Sequence, residues 1–297
     1  MSAVAAMSVV SVPLAPSTAV AVPALGLGTW RLGESAANSR TRADEIAAVR
    51  LALDLGYRLI DTAEMYGEGG AEEVVGAALA QWTAQPGCSR DQVFVVSKVY
   101  PHNASRRGTP AACERSLKRL GLDHIDLYLL HWPGSHPLAD TVAAFEALRA
   151  QGRIRGWGVS NFDTDGMQAL WRVPQGTHCA TDQVYYSASR RGIEFDLLPW
   201  LRERGVPTMA YCPIDQGALA RNAVFGEIGT RHGVSAAQAA LAWVLHQPGV
   251  IAIPKAVREV HLRENLAATT LRLTAEDLAR IDRAFAPPSR KQPLAIT

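Results

Sequence analysis

Apolar stretches of strand length alternate with helix-patterned stretches eight times between residues 23 and 297. The strand-like stretches are ALGLGTW, RLID, QVFVVSK, IDLYLLH, RGWGVS, ATDQVYY, VPTMAYC and VIAIPK. The stretches that follow them, such as ADEIAAVRLALDLG and TPAACERSLKRLG, repeat apolar residues at helical spacing. This alternation favours a parallel sheet, and eight units joined by right-handed crossovers close naturally into a barrel. We therefore predict an α/β protein with a single (β/α)8 barrel domain over residues 23–297.

An open, doubly wound sheet is the competing interpretation, but its nucleotide-binding motifs are incomplete. The stretch ALGLGTWRLG supplies Gly26 and Gly28 but has Arg31 where G-x-G-x-x-G requires its last glycine. The stretch GWGVSN falls short in the same way at Asn161, and no P-loop sequence occurs. Several helix patterns stop at a glycine just before the next strand, as helix C-caps should: Gly56, Gly121, Gly152 and Gly205. These features favour the barrel.

Composition narrows the class of protein. With 48% hydrophobic and 20% charged residues, the chain can bury a large core, so we expect a soluble globular protein. The net charge of +2 and the absence of a long basic run argue against nucleic acid as a partner. The four cysteines are widely spaced and form no CxxC pair, which fits a reducing cytoplasm. We expect a monomer or a weakly associating homo-oligomer.

Residues 1–22 are small and apolar, and we interpret them as a frayed N-terminal extension with a short strand near Thr18–Val22. A signal peptide is not expected, because the segment lacks a basic start and is interrupted by Pro13 and Pro16. The same prolines argue against a membrane span.

Three strand-like stretches in succession end in polar residues that could share a site. Asp61 ends the second stretch, with Tyr66 shortly after it, and Lys98 and His131 end the next two. The carboxyl ends of parallel strands gather on one face, where ligands bind. There, the Lys98 ammonium could lower the pKa of Tyr66, making it a better proton donor, while Asp61 orients Lys98. His131 could hydrogen-bond a substrate carbonyl oxygen.

Each of these residues also has a purely structural interpretation. Asp61 could cap the following segment, Tyr66 could pack in the core, and Lys98 could be a solvated strand end. His131 could be a packed residue beside Trp132. A metal-dependent hydrolase is a further alternative, since His102, His131 and His136 could gather near Asp61, but no strand carries a His-x-His pair.

Seven motifs occur in a fixed order along the chain: GLGTW, DTAEMYG, SKVYP, LLHWP, GVSNF, Gln183 before Tyr185, and IPKAVREVHLRENL. In these motifs and in their order, the chain resembles the aldo-keto reductase superfamily. The resemblance implies a barrel that reduces aldehydes or ketones with NADPH and without a metal. It also implies that Asp61, Tyr66, Lys98 and His131 form the catalytic tetrad, with Tyr66 as the acid.

The resemblance assigns cofactor contacts as well. Ser160, Asn161 and Gln183 would bind the nicotinamide carboxamide, and the ring of Tyr211 would stack beneath the nicotinamide. Lys255, Arg258 and His261 would bind the adenosine 2′-phosphate, and Glu264 and Asn265 would lie near the adenine amine. Gly28, Thr29 and Trp30 also belong to the implied cofactor site. Many relatives carry arginine at the position of His261, and histidine does not offer the phosphate the permanent charge that arginine would. We therefore expect NADPH to be preferred but NADH to be usable as well.

The substrate pocket implied by the resemblance has aromatic walls. Trp30, Tyr100, His102 and Trp132 align with pocket segments, and so does the tail PPSRKQPLAIT. The sequence looks most like bacterial reductases of methylglyoxal and other reactive aldehydes. A non-catalytic barrel that binds nicotinamide nucleotide and reports redox state to a partner stays open as an alternative, although the intact tetrad favours turnover.

Overall fold

The computed structural model describes residues 10–14, 20–34 and 41–297, and its centre is a parallel barrel. Eight strands pair in chain order, each parallel to the next. They are β3 (Leu27–Gly28), β4 (Leu59–Asp61), β5 (Phe94–Val99), β6 (Ile125–Leu130), β7 (Ile154–Ser160), β8 (Asp182–Tyr185), β9 (Thr208–Tyr211) and β10 (Val250–Ala252). Parallel bridges between Leu25 and Ala252 and between Gly28 and Lys255 join the first strand to the last. The predicted (β/α)8 barrel is thereby confirmed.

Helices surround the strands and include one that the sequence analysis missed. They are α1 (Arg42–Leu55), α2 (Gly70–Thr83), α3 (Gly108–Leu120), α4 (Leu138–Ala150), α5 (Thr164–Trp171), α6 (Leu197–Glu203), α7 (Ala223–His232), α8 (Ala236–Leu245), α9 (Glu259–Ala268) and α10 (Ala275–Ala284). The unpredicted helix is α10, which begins at a capping box formed by Thr274 and Asp277. That Thr-x-x-Asp spacing, followed by Leu278 and Ile281, was a usable signal.

An antiparallel hairpin precedes the barrel, formed by β1 (Ser11–Pro13) and β2 (Ala21–Pro23). Its residues Val12, Leu14 and Val22 are buried together with apolar side chains from inside the barrel. Part of the segment predicted as a frayed extension is therefore packed. The short strand predicted near Thr18–Val22 overlaps β2, and residues 18 and 19 lie outside the described residues.

The alternation of side chains along each strand divides the core into two layers. Leu59, Val96, Leu127 and Leu129 belong to the cluster inside the barrel. Their neighbour Tyr128 faces outward and packs edge-on against Phe145 of α4, with ring centroids 5.9 Å apart. Side chains two residues apart on a strand share a face. Asp61, Lys98 and His131 each follow an inward-facing residue by two positions, so they also face inward. Strand geometry thus aims all three at the carboxyl end of the barrel interior.

In the part of the chain that the structure describes, no helix is long and apolar enough to cross a membrane.

Candidate active site

Lys98 is the centre of the hydrogen-bond network at the carboxyl end of the barrel. Its side chain is fully buried, and its Nζ donates to Asp61 Oδ2 at 2.8 Å and to the Tyr66 hydroxyl oxygen at 3.0 Å. A third bond goes to the Thr62 carbonyl oxygen at 3.0 Å. Lys98 is therefore not a solvated strand end, and the structure brings together the acid, the lysine and the tyrosine predicted to share a site.

Burial shifts the pKa values of this group. It raises the pKa of Asp61 and lowers that of Lys98, while the attraction between the two charges opposes both shifts. Burial also raises the pKa of Tyr66 well above its usual range, and the charge of Asp61 adds to this effect. Sequence analysis expected Lys98 to lower the pKa of Tyr66, but the net shift of that pKa is upward, because loss of hydration is its largest cause. Tyr66 consequently keeps its proton at neutral pH.

His131 lies beside this network as a neutral, buried imidazole. Burial lowers its pKa well below the usual range, and the positive charge of Lys98 lowers it further. Its ring is 5.7 Å from the ring of Tyr66 between centroids, in an edge-on arrangement. Its Nδ1 is buried and has no hydrogen-bond partner among the described residues. A neutral imidazole next to a tyrosine hydroxyl can orient a carbonyl oxygen without adding a charge.

Aromatic rings extend from His131 away from the Lys98 network. Trp132 lies 4.8 Å from His131 between ring centroids, and Tyr100 lies 5.9 Å from Trp132. The exposed ring of His102 is 4.7 Å from that of Tyr100. The structure thus brings Tyr100, His102 and Trp132 together, as predicted for a substrate wall.

The loop that carries Trp30 packs directly on the turn that carries Tyr66. At Gly33, which has φ of +74°, a Cβ atom would come within 2.2 Å of the Gly70 backbone. At Gly67, a Cβ would come within 2.8 Å of the Gly33 backbone. Only glycine allows this approach. Thr29 also donates from its backbone N and its hydroxyl to the Asp61 carbonyl oxygen, so the segment of Trp30 is fixed to β4.

Side chains at the ends of β7, β8 and β9 form a second network. The Ser160 hydroxyl donates to the Gln183 carbonyl oxygen at 2.8 Å, and the Tyr211 hydroxyl donates to Asn161 Oδ1 at 2.8 Å. Asn161 has φ of 59° and donates from Nδ2 to the His131 carbonyl oxygen at 3.1 Å. Gln183 is buried and donates from Nε2 to Asp61 Oδ1 at 2.7 Å. Asn161 and Gln183 thus hydrogen-bond His131 and Asp61 directly, and Ser160 and Tyr211 are connected through them.

The residues predicted to bind the 2′-phosphate lie at the start of α9. Arg258 is the N-cap residue, and this end of the helix has no side-chain cap, unlike α8 and α10. The guanidinium of Arg258 contacts the His261 ring, whose Nδ1 is 3.1 Å from Glu264 Oε2. Lys255 and Arg258 are exposed, whereas Asn265 is buried.

Comparison with known proteins identifies the family. Residues 24–286 match the model of the aldo/keto reductase family. The chain belongs to that family. Methylglyoxal reductase YeaE of Escherichia coli (strain K12) is 50% identical over 280 residues, which cover 93% of this chain and 95% of that protein. Glyoxal reductase of Bacillus subtilis (strain 168) is 36% identical over 263 residues and 89% of each chain.

Solved aldo-keto reductase structures have the same fold. A crystal structure from Klebsiella pneumoniae in complex with NADP and acetate is 49% identical, with a TM-score of 0.90 over 97% of this chain and 99% of that one. Another from Klebsiella pneumoniae, in complex with NADPH, is 48% identical, with a TM-score of 0.89 over 98% of this chain and all of that one.

Two features of this aldo-keto reductase site were not predicted from the sequence. Glu64 is buried, and its Oε1 accepts from the Tyr100 backbone N at 2.7 Å and from Asn103 Nδ2 at 3.1 Å. Glu68 accepts from the Tyr100 hydroxyl at 2.9 Å. Both glutamates flank Tyr66 in the sequence EMYGE, so their position beside the proposed acid was the only signal available.

The metal-site alternative has no counterpart in the described residues, where no group of three or more His, Cys, Asp or Glu side chains could hold a metal ion. His136 instead contacts the His102 carbonyl oxygen at 3.1 Å.

Proposed function

We propose that this protein is an NADPH-dependent reductase of small aldehydes and ketones. The observation that carries the proposal is the buried hydrogen bond from Lys98 Nζ to the Tyr66 hydroxyl oxygen, with Asp61 on the other side of the ammonium. This arrangement suits the transfer of one proton to an oxygen that becomes an alkoxide.

The donor set at the barrel mouth fits a nicotinamide nucleotide. Asn161, Ser160 and Gln183 offer amide and hydroxyl groups next to His131 and Asp61, and the half-buried ring of Tyr211 lies beside them. At α9, exposed cations and backbone N–H groups without a side-chain cap suit a phosphate. When bound, reduced nicotinamide supplies the hydride. The relatives solved with NADP and NADPH support the same assignment.

Tyr66 would donate the proton, and its surroundings explain how. Because Lys98 donates into the Tyr66 oxygen, the tyrosine's own proton must point elsewhere and is free for a substrate. The ammonium would then stabilise the phenolate that remains. His131, being neutral, would hydrogen-bond the carbonyl oxygen and orient it toward Tyr66.

Methylglyoxal and related small reactive aldehydes are the proposed substrates. Tyr100, Trp132 and His102 form a continuous aromatic wall, which suits small carbonyl compounds. The relatives whose names specify methylglyoxal reductase and glyoxal reductase support this class. Use of NADH, a monomeric or weakly oligomeric state and a cytoplasmic location stay predictions.

The test is loss of reduced-nicotinamide absorbance when the purified protein meets methylglyoxal, with NADPH and NADH run in parallel. Tyr66→Phe should abolish reduction and keep NADPH binding, measured by titration calorimetry. Tyr128→Phe is the control, because it removes the same hydroxyl from a tyrosine of the barrel that faces the helix layer and not the proposed site. Near-normal turnover in Tyr66→Phe would refute the proposed acid. NADPH binding without turnover of any carbonyl by the unmodified protein would favour the redox-sensor alternative.

A further inference from the structure

A series of aromatic ring contacts, completed by one hydrogen bond, borders one side of the proposed pocket. The rings of Tyr66, His131, Trp132 and Tyr100 follow one another at centroid distances of 5.7, 4.8 and 5.9 Å. The Tyr100 hydroxyl donates to Glu68 Oε1 at 2.9 Å, and Glu68 lies two residues after Tyr66. Glu68 is therefore a carboxylate built into an otherwise aromatic wall.

The backbone holds Glu68 in an uncommon conformation at this position. Gly67 and Glu68 both lie in the left-handed region, with φ of 58° and 52°, within the turn that begins at Tyr66. Glutamate rarely adopts this conformation, and the surrounding contacts must compensate for its cost. The hydrogen bond from Tyr100 and the close contact between Gly67 and Gly33 are two such contacts.

The charge of Glu68 is not neutralised by a neighbouring side chain. Within residues 10–14, 20–34 and 41–297, Glu68 forms no ion pair with lysine, arginine or histidine. The adjacent carboxylate of Glu64 differs, because it is buried and paired with Arg115 at 3.5 Å. Lys98 is paired with Asp61. The exposed guanidinium of Arg31 stacks on Trp30, 4.5 Å from its ring centroid.

We propose that Glu68 is a specificity-determining residue, which disfavours carboxylate-bearing carbonyl substrates and selects uncharged aldehydes and ketones. The inference rests on the proposed reductase function. A substrate whose carbonyl oxygen lies between Tyr66 and His131 places its remaining atoms along the Tyr100 and Trp132 wall. A carboxylate there faces the like charge of the exposed Glu68 side chain, and the repulsion between the two is largest at low ionic strength. Tyr100 acts as a positioning residue, because it holds the Glu68 carboxylate on the wall.

Two variants separate the charge from the hydrogen bond. Glu68→Gln removes the charge and keeps an oxygen that can accept from Tyr100. Tyr100→Phe removes the hydrogen bond and keeps the charge. Glu203→Gln is the matched control, because Glu203 lies at the end of α6 with its side chain 74% exposed.

The measurement is the ratio of kcat/KM for 4-carboxybenzaldehyde to that for 4-nitrobenzaldehyde, with NADPH at low ionic strength. The two aldehydes have similar shapes and differ in charge. Glu68→Gln should raise the ratio about 5-fold, the size expected for one exposed like charge about 4 Å away. Tyr100→Phe should raise KM for both aldehydes and change the ratio less, and Glu203→Gln should match the unmodified protein. Added salt should raise the ratio of the unmodified protein but not that of Glu68→Gln, because ions screen the repulsion.

An unchanged ratio in Glu68→Gln, with both aldehydes still reduced, would overturn the inference and leave the proposed function intact. An equal rise in Glu203→Gln would also overturn it, since the preference would then reflect the net charge of the protein and not the position of Glu68. If the unmodified protein reduces neither aldehyde, the proposed function fails and this inference falls with it.

Discussion

Lys98 and Tyr66 are joined by a hydrogen bond of 3.0 Å in which the buried ammonium donates to the phenolic oxygen. The same ammonium lies 4.6 Å from the centroid of the tyrosine ring. Tyr66 therefore accepts from Lys98 while its own proton stays available, and burial keeps that proton in place by raising the pKa of Tyr66. In the proposed reaction, Lys98 stabilises the Tyr66 phenolate that forms when the hydroxyl proton leaves.

Removal of the lysine ammonium should slow the proposed proton transfer. Lys98→Met is expected to lower kcat by about 100-fold or more, because the phenolate of Tyr66 loses its charged hydrogen-bond donor. The measurement is steady-state reduction of methylglyoxal with saturating NADPH. Lys118→Met, on the exposed face of α3, is the control and should behave normally. A kcat within threefold of the unmodified protein would contradict the coupling of Lys98 to Tyr66.

Acidification should destabilise the fold through His131. Its folded-state pKa is lowered by burial, so the unfolded chain takes up a proton near pH ~6.5 while the folded protein does not. The free energy of unfolding should therefore fall as pH drops below about 6.5. His131→Gln should lack this part of the decline, and exposed His246→Gln should retain it. Denaturant unfolding between pH 7.5 and 5 measures the difference, and parallel curves for His131→Gln and the unmodified protein would refute it.

Buried Asp182 should make the fold less stable as pH rises, which is the opposite of the effect expected for His131. The residue is fully buried in β8, and neither carboxyl oxygen accepts a hydrogen bond of normal length and angle from the described side chains and backbone. Burial raises its pKa well above the usual range, with the Phe162 backbone opposing the shift and the charge of Asp163 adding to it. The folded protein keeps the proton that the unfolded chain loses near pH ~4, so stability should fall with rising pH by up to about 1.4 kcal/mol per unit.

Asp182→Asn should remove that dependence while preserving shape. The variant is expected to melt at a higher temperature than the unmodified protein at pH 8, with the gap narrowing toward pH 4.5. Asp54→Asn is the control, because Asp54 is exposed on α1 and does not contribute to the pKa shift of Asp182. A gap that does not change with pH would show that Asp182 is ionised in the folded state.

Cofactor preference should respond to the residue at position 261. The His261 side chain is 42% exposed and lies between Arg258 and Glu264 near the start of α9. His261→Arg should increase the preference for NADPH over NADH by about 10-fold, because arginine adds a permanent charge and a bidentate donor for a phosphate. His246→Arg adds the same charge elsewhere and serves as the control. Dissociation constants for the two nucleotides test this, and an unchanged ratio would remove His261 from the proposed phosphate site.

The architecture followed from sequence patterns because strands and helices have fixed periods. All eight predicted strands are present, and the period of two also explains why Asp61, Lys98 and His131 point inward after Leu59, Val96 and Leu129. Helix α10 was missed, although its capping box was visible, because charged residues dominate its sequence. Local patterns therefore determined the elements and the inward direction of these residues.

Contacts between distant segments depended on barrel closure. The sequence does not show that Gln183 donates to Asp61, which lies 122 positions away, or that Tyr100 donates to Glu68. It also does not show that the net pKa shift of Tyr66 is upward, since proximity to Lys98 was foreseeable but the extent of burial was not.

The sequence by itself determined the strand order, the facing of the side chains and the identity of the polar residues at the strand ends. Tertiary structure alone decided which of those groups pair and which lose their hydration. The physical reason is that period and propensity act over a few residues, whereas hydrogen bonds and desolvation depend on every segment that packs around a group.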